Sequence, residues 1–313
     1  MTASPEPLKR RRRYQREPPE RPLSLTGHKR DLLRYIADYG ILSSRQLAAL
    51  ADPSPKSVQR ALRALYDAGL VDVVPVPRAA LADPGSANEA AVVYGSAPNL
   101  YVLTRAGAKV LRDRGLAGNP RVLAGRYGPR NHLFLGHTLA VQEFRIWTEL
   151  ASRRYPDHRL EVWRDGPAAQ IDLGRLRPPK VLRPDAWFRY RVGPRVLVGF
   201  LEADRGTERG SRRWQEKITA YTFLFRSDQL RKVTGRRHAR VLIVTPDDRR
   251  RDRLAELIAE HALPEVAPRF WLAGQSVLAV PDLSRPGWIQ PGGRLLQPLL
   301  SPELLAAEAI KQP

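Results

Sequence analysis

Residues 184–204 read PDAWFRYRVGPRVLVGFLEAD, and this stretch decides how the second half of the chain folds. Strand-forming residues on both sides of Gly193-Pro194 predict two strands joined by a two-residue turn. In the register of such a hairpin, Asp185 faces Glu202, and facing side chains have Cβ atoms about 4.5–5.5 Å apart. Asp204 follows two residues later and lies on the same face. A longer turn would shift this register.

The grouped carboxylates need a compensating positive charge, because like charges that face each other destabilise a sheet. A divalent ion with oxygen ligands, Mg²⁺ or Mn²⁺, supplies that charge. We therefore predict Asp185, Glu202 and Asp204 as metal ligands. The alternative is a solvent-facing strand end whose carboxylates pair with neighbouring arginines, for which the candidates are Arg183, Arg189 and Arg205.

A lysine stands on the apolar stripe of the helix that follows the hairpin. Trp214, Lys217, Ile218, Tyr221 and Leu224 share one face at helical spacing. A lysine there is costly unless its ammonium meets an anion, and the expected partner is a hairpin carboxylate or a phosphate held beside the carboxylates. Alternatively, the side chain extends from the edge of the stripe into solvent.

Glu143 stands out in the same way, more weakly, on the long helix before the hairpin. There it falls on a stripe with Leu133, Gly136, Ala140 and Trp147. The predicted catalytic residues are Asp185, Glu202, Lys217 and Glu143.

Residues 131–280 alternate between helical and strand patterns: a long helix, three strands, a helix and a further strand. This order predicts an α/β domain with a mixed sheet. Residues 281–313 are rich in Pro and Gly and are predicted to form a C-terminal extension. A chain of 313 residues is long enough for two domains.

Residues 25–114 predict a winged helix-turn-helix, because three helices are followed by a strand, a long loop over 77–98, a strand and a helix. The third helix turns Val58, Leu62 and Leu65 inward. It exposes Lys56, Gln59, Arg60 and Arg63 on its other face. A helix that enters the major groove needs long donors on its outer face. Protein contact is the alternative use. Residues 115–130 are the predicted linker.

The charge balance indicates the class of binding partner. The chain has 53 Lys+Arg against 32 Asp+Glu, a net charge of +21. Double-stranded DNA is the expected polyanion. Residues 1–24 are predicted to be a disordered basic arm. Its Arg10, Arg11, Arg12 and Arg13 either contact phosphates or serve solubility.

Several protein classes are excluded or disfavoured. The absence of cysteine excludes disulfides and thiolate metal sites and fits a reducing cytoplasm. No apolar run approaches the ~18 residues that span a bilayer, and no secretory signal is expected. Phosphate-loop, zinc-protease and serine-hydrolase motifs are missing. Membrane-surface binding through residues 9–16 stays a remote alternative, and no membrane partner is expected.

The carboxylates and the order of elements resemble the PD-(D/E)xK nuclease superfamily. The resemblance implies that Asp185 and Glu202 bind Mg²⁺, that a lysine positions the attacking water and that a helix glutamate joins them. Asp204 stands where the superfamily places its lysine, two residues after the glutamate. Lys217 on the next helix could supply that ammonium instead.

Roughly Leu25 to Ile258 resembles the replication-relaxation family of bacterial plasmids and integrative elements. The matching segments are Arg130-Asn-His132, Gly136-His137 to Glu143, Arg183-Pro-Asp185, Phe200 to Glu208 and Lys217 to Tyr221. The resemblance implies a cytoplasmic bacterial protein of plasmid or mobile-element replication or transfer that nicks or cleaves DNA. A non-catalytic initiator or regulator is the alternative. A homodimer and contacts with other replication or transfer proteins stay open.

Overall fold

The structure is a computed structural model that describes residues 14–51, 54–76, 98–116, 132–174, 181–206 and 211–301. It has an α+β fold, as the sequence predicted. Arg10 to Arg13 and nearly all of the predicted wing and linker lie outside the described residues. The described residues form two compact units, one up to residue 116 and one from Leu133 onward.

The first unit consists of four helices and three short strands among its described residues. In chain order they are α1 (Gly27–Tyr39), β1 (Ile41–Ser43), α2 (Ser44–Leu50), α3 (Pro55–Asp67), β2 (Val71–Val74), β3 (Leu100–Leu103) and α4 (Arg105–Asp113). The strands form an antiparallel sheet in the order β1-β3-β2.

Hydroxyl side chains begin the helices of this unit. Ser43 and Gln46 form a capping box at α2, Ser54 caps α3, and Thr104 caps α4. A Cβ at Gly107 of α4 would lie 2.1 Å from the carbonyl oxygen of Leu70, so only glycine permits this close approach.

Residues 15–17 dock against α3 and β2 instead of belonging to the predicted free arm. The Arg16 guanidinium lies 3.2 Å from Asp72 and donates to the Val71 carbonyl oxygen. The Glu17 amide donates to Asp67 at 3.1 Å. These contacts make residues 15–17 part of the first unit.

The second unit is built around a five-stranded sheet. Its helices are α5 (His132–Arg154), α6 (Arg212–Arg226), α7 (Gln229–Thr234) and α8 (Asp248–His261). Its strands are β4 (His158–Asp165), β5 (Ile171–Asp172), β6 (Val181–Leu182), β7 (Ala186–Val192), β8 (Arg195–Ala203), β9 (Arg240–Thr245) and β10 (Phe270–Gly274).

The sheet runs in the order β10-β9-β8-β7-β4 and is mixed. β4, β7 and β8 are antiparallel neighbours, whereas β8, β9 and β10 are parallel. β5 and β6 pair with each other in a separate two-stranded sheet. The hairpin register is the predicted one, since Ala186 faces Leu201 and Val192 faces Arg195.

Helices cover both faces of the sheet. Val141, Phe144 and Trp147 of α5 pack on one face, in a cluster with Phe188. Trp214 and Tyr221 of α6 pack on the other face, and Leu254 and Ile258 of α8 join them. No helix among the described residues is long and apolar enough to cross a membrane.

Residues 281–301 complete the core of this unit and do not form a separate extension. Trp288 and Leu299 are fully buried in the α5-side cluster. The backbones of Leu272 and Ile289 exchange two hydrogen bonds of 2.9 Å. The predicted boundary at residue 280 therefore cuts through one packed body.

Candidate functional site

Glu202 is the buried centre of a charged cluster. Its side chain is 1% exposed. Oε2 accepts a hydrogen bond from the Lys217 ammonium at 2.5 Å, and Oε1 accepts one from the Tyr221 hydroxyl at 2.7 Å. The prediction that Lys217 meets a hairpin carboxylate is confirmed. Its catalytic role stays a prediction.

Burial controls the protonation of this cluster. Desolvation raises the pKa of Glu202, whereas the Lys217 charge and hydrogen bond lower it. Desolvation and the neighbouring Glu202 also raise the pKa of Tyr221 well above its ordinary value. Tyr221 therefore keeps its proton and donates it in a hydrogen bond. Because it is fully buried, it cannot reach a substrate as a nucleophile.

Asp185 lies beside Glu202 at the start of β7. The Asp185 amide donates to the Leu201 carbonyl oxygen, and Asp185 Oδ2 accepts from the Ala203 amide at 2.7 Å. Oδ1 lies 3.0 Å from Nε2 of His137. The hydrogen bond with Asp185 raises the pKa of His137, which favours the imidazolium as its donor.

His137 contacts the site, although it was not among the predicted site residues. It shares the helical positions i, i+4, i+7 and i+10 with Val141, Phe144 and Trp147, which face the sheet. A polar residue on that stripe is the same signal that identified Lys217. The predicted stripe ran through Gly136, Ala140 and Glu143, each one position before a residue of this face, so it did not include His137.

Glu143, predicted to join the carboxylates, is half-buried six residues after His137. That separation is about 9 Å along the helix axis. His137 of α5 contacts Asp185 directly, and a catalytic role for Glu143 stays a prediction. We refer below to His137, Asp185, Glu202, Lys217 and Tyr221 as the carboxylate cluster.

Asp204 points to a different partner. Its Oδ2 accepts a hydrogen bond of 2.6 Å from Arg250 of α8. The arginine pairing that we considered as an alternative therefore holds for Asp204, although the partner is Arg250. Thr207 and Glu208 of the motif that follows lie outside the described residues.

The donor set fits a divalent cation in type. Among the described residues, no group of three or more His, Asp or Glu side chains is arranged to hold a metal ion. Magnesium, however, commonly takes one or two carboxylates and completes its coordination with waters and substrate phosphates. Asp185 and Glu202 supply carboxylates of this kind, each already hydrogen-bonded within the protein, and Asp204 is engaged by Arg250.

Three of the four α3 residues predicted to contact DNA are exposed on the outer face of that helix. Lys56, Gln59 and Arg60 are exposed. Arg63 differs from the prediction: it is half-buried, pairs with Asp67 at 2.9 Å and donates to the Gln15 carbonyl oxygen. The acidic partner four residues later on α3 accounts for this difference.

A profile of the replication-relaxation family matches residues 33–238, which is more than half of the chain. The matched range contains α3 and every residue of the carboxylate cluster. No curated protein and no solved structure gives a significant match.

Proposed function

The chain belongs to the replication-relaxation family, and from that premise we propose that it binds and nicks double-stranded DNA in plasmid or mobile-element replication or transfer. The observation that carries the proposal is the contact of Lys217 with Glu202 beside Asp185. A buried carboxylate beside a partly exposed one, with an ammonium in contact, is suited to phosphodiester chemistry.

The first unit would hold the DNA. Its order of elements supports a winged helix-turn-helix, and α3 turns Lys56, Gln59 and Arg60 toward solvent. Long donors of this kind contact phosphates and base edges in the major groove. The net charge of +21 favours the same partner.

Duplex binding tests this part of the proposal. We expect Lys56→Ala and Arg60→Ala each to weaken binding and, for a phosphate contact, to lower the slope of log K against log salt by about 0.9. Fluorescence anisotropy with a labelled duplex measures both quantities. Lys109→Ala removes a paired, exposed lysine from α4 and is the matched control. Equal losses in all three variants would contradict a role for α3.

The second unit would carry the chemistry. Helix α5, strands β4, β7 and β8, helix α6 and strand β9 follow in the order of a PD-(D/E)xK-like core. Asp185 and Glu202 would hold a Mg²⁺ or Mn²⁺ ion, which lowers the pKa of bound water and neutralises phosphate charge. Lys217 would stabilise the charge that builds on the phosphate. Tyr221 and His137 would hold the two carboxylates in place.

A pair of variants tests the assignment of the carboxylates. We expect Asp185→Asn to abolish nicking of supercoiled plasmid, because it removes a proposed metal ligand. Asp204→Asn should keep nicking activity and lose only stability, because Asp204 is engaged by Arg250. Agarose gels of the plasmid products and urea unfolding of both variants supply the two readouts. If Asp204→Asn is fully folded and still loses nicking activity, Asp204 belongs to the active site.

One observation favours a second, non-catalytic function. Protein groups already occupy both oxygens of Asp185 and both oxygens of Glu202. A domain stabilised in this way could clamp DNA without cutting it. This candidate predicts full duplex affinity and no Mg²⁺-dependent nicking by the wild-type protein.

A further inference from the structure

Arginines line the sheet on the face that carries Glu202. Arg191, Arg189, Trp187 and Asp185 alternate along β7 and therefore share that face. Trp187 packs there with Phe200, in the cluster on the α6 side. The two arginines therefore lie on the same face of β7 as Asp185, in a row that ends at the carboxylate cluster.

The edge strand β4 adds two more arginines to the same face. Arg159 faces Arg191, and Arg164 faces Trp187. Residues 159 and 164 would lie on opposite faces of a regular strand, but the register shifts between Leu160 and Val162. This bulge turns both arginines to one side. We name Arg159, Arg164, Arg189 and Arg191 the arginine track.

Within the part of the chain that the structure describes, the charge of the track is only partly compensated. Glu161 forms ion pairs with Arg189, at 2.9 Å, and with Arg191. Arg159 and Arg164 are exposed. One carboxylate thus serves two of four guanidinium groups, and Arg159 directly faces Arg191. Facing like charges destabilise a sheet, so folding alone does not explain why the two arginines face each other. A bound polyanion would offset their repulsion.

The dimensions suit a nucleic acid backbone. Six residues separate Arg191 from Asp185, which is about 20 Å along a strand. This length covers about six phosphates of one strand of B-DNA. Guanidinium groups bind phosphate oxygens through paired hydrogen bonds.

We propose that the arginine track binds the phosphate backbone of duplex DNA and leads one strand to the carboxylate cluster. This inference rests on the proposed DNA-binding function and adds the surface of the second unit that contacts the substrate. It assigns to β4 and β7 a role that is separate from that of α3.

The test uses the full chain and a labelled duplex. We expect Arg159→Ala and Arg164→Ala each to lower the slope of log K against log salt by about 0.9, and the double variant by about 1.8. Arg285→Ala is the matched control. It removes an exposed arginine from the C-terminal segment, whose neighbours Leu283 and Trp288 pack on the α5 side of the sheet. Its slope should equal that of the wild type.

Thermal unfolding separates a binding role from a structural one. Because Arg159→Ala relieves the repulsion with Arg191, its Tm should equal or exceed that of the wild type while its DNA affinity falls. If the wild type binds DNA and both variants have unchanged slopes, the role of the arginine track is contradicted and the proposed function is not. If the wild type does not bind DNA, both the track and the proposed function are contradicted. If the arginine variants lose binding to phosphatidylserine vesicles but bind DNA as the wild type does, the role of the track in DNA binding is also contradicted.

Discussion

Glu202 and Tyr221 illustrate how one buried carboxylate shapes its surroundings. The Tyr221 hydroxyl donates to Glu202 Oε1, and both side chains are buried. We predict that Tyr221→Phe lowers the free energy of unfolding by about 1–3 kcal/mol, because it removes this donor from a buried acceptor. Urea denaturation measures the change.

The exposed Tyr14 provides the control for that experiment. Tyr14→Phe should change the free energy of unfolding by less than about 0.5 kcal/mol, since surface substitutions seldom do more. An equal effect of the two substitutions would contradict the assigned hydrogen bond.

Glu161 predicts a pH dependence of stability. The hydrogen bond from Arg191 lowers the pKa of Glu161 below its ordinary value. Because the pKa is lower in the folded state, ionised Glu161 stabilises the fold fully at pH values above its unfolded-state pKa. This stabilisation is lost as the pH falls through the folded-state pKa of Glu161.

Glu161→Gln should therefore be less stable than the wild type at pH 7, by about 1 kcal/mol or less because water screens the partly exposed arginines. The difference should vanish in acid, below the folded pKa of Glu161. Urea unfolding of both proteins across the acidic range checks this, and a difference that is constant with pH would contradict it.

At the scale of elements, the hairpin and α3 could be predicted because their information is local. Gly193-Pro194 fixes the register, and apolar spacing fixes the inner face of α3. β1 was missed because three residues are too few to show alternation. The partner of Asp204 could not be predicted, because Arg250 is brought to it only by the parallel packing of β8, β9 and α8.

The C-terminal segment shows that amino-acid composition alone can mispredict whether a segment belongs to the core. Its Pro and Gly content predicted an extension, yet its few large apolar side chains fill the core. We predict that Leu299→Ala lowers the free energy of unfolding by about 2–5 kcal/mol, because Leu299 is fully buried. Leu295→Ala, at a residue that is 75% exposed, should stay within about 0.5 kcal/mol. Equal effects in urea denaturation would contradict the packing.

At the scale of the whole molecule, the net charge of +21 and the few grouped carboxylates have different meanings. The positive charge favours a polyanion, and its distribution over α3 and the arginine track suggests two contact surfaces for it. The three carboxylates at the end of the hairpin each contact a basic side chain. Lys217 contacts Glu202, His137 contacts Asp185, and Arg250 contacts Asp204.

The conversion of supercoiled plasmid to open circles by the wild-type protein tests the central claim most directly. With Mg²⁺ and enough protein to saturate the DNA, we predict open circles that do not form in EDTA. The Asp185→Asn and Glu202→Gln double variant should not form them either, while its duplex affinity is unchanged or higher. Saturated binding without Mg²⁺-dependent nicking by the wild type would contradict the catalytic account and leave DNA binding as the function.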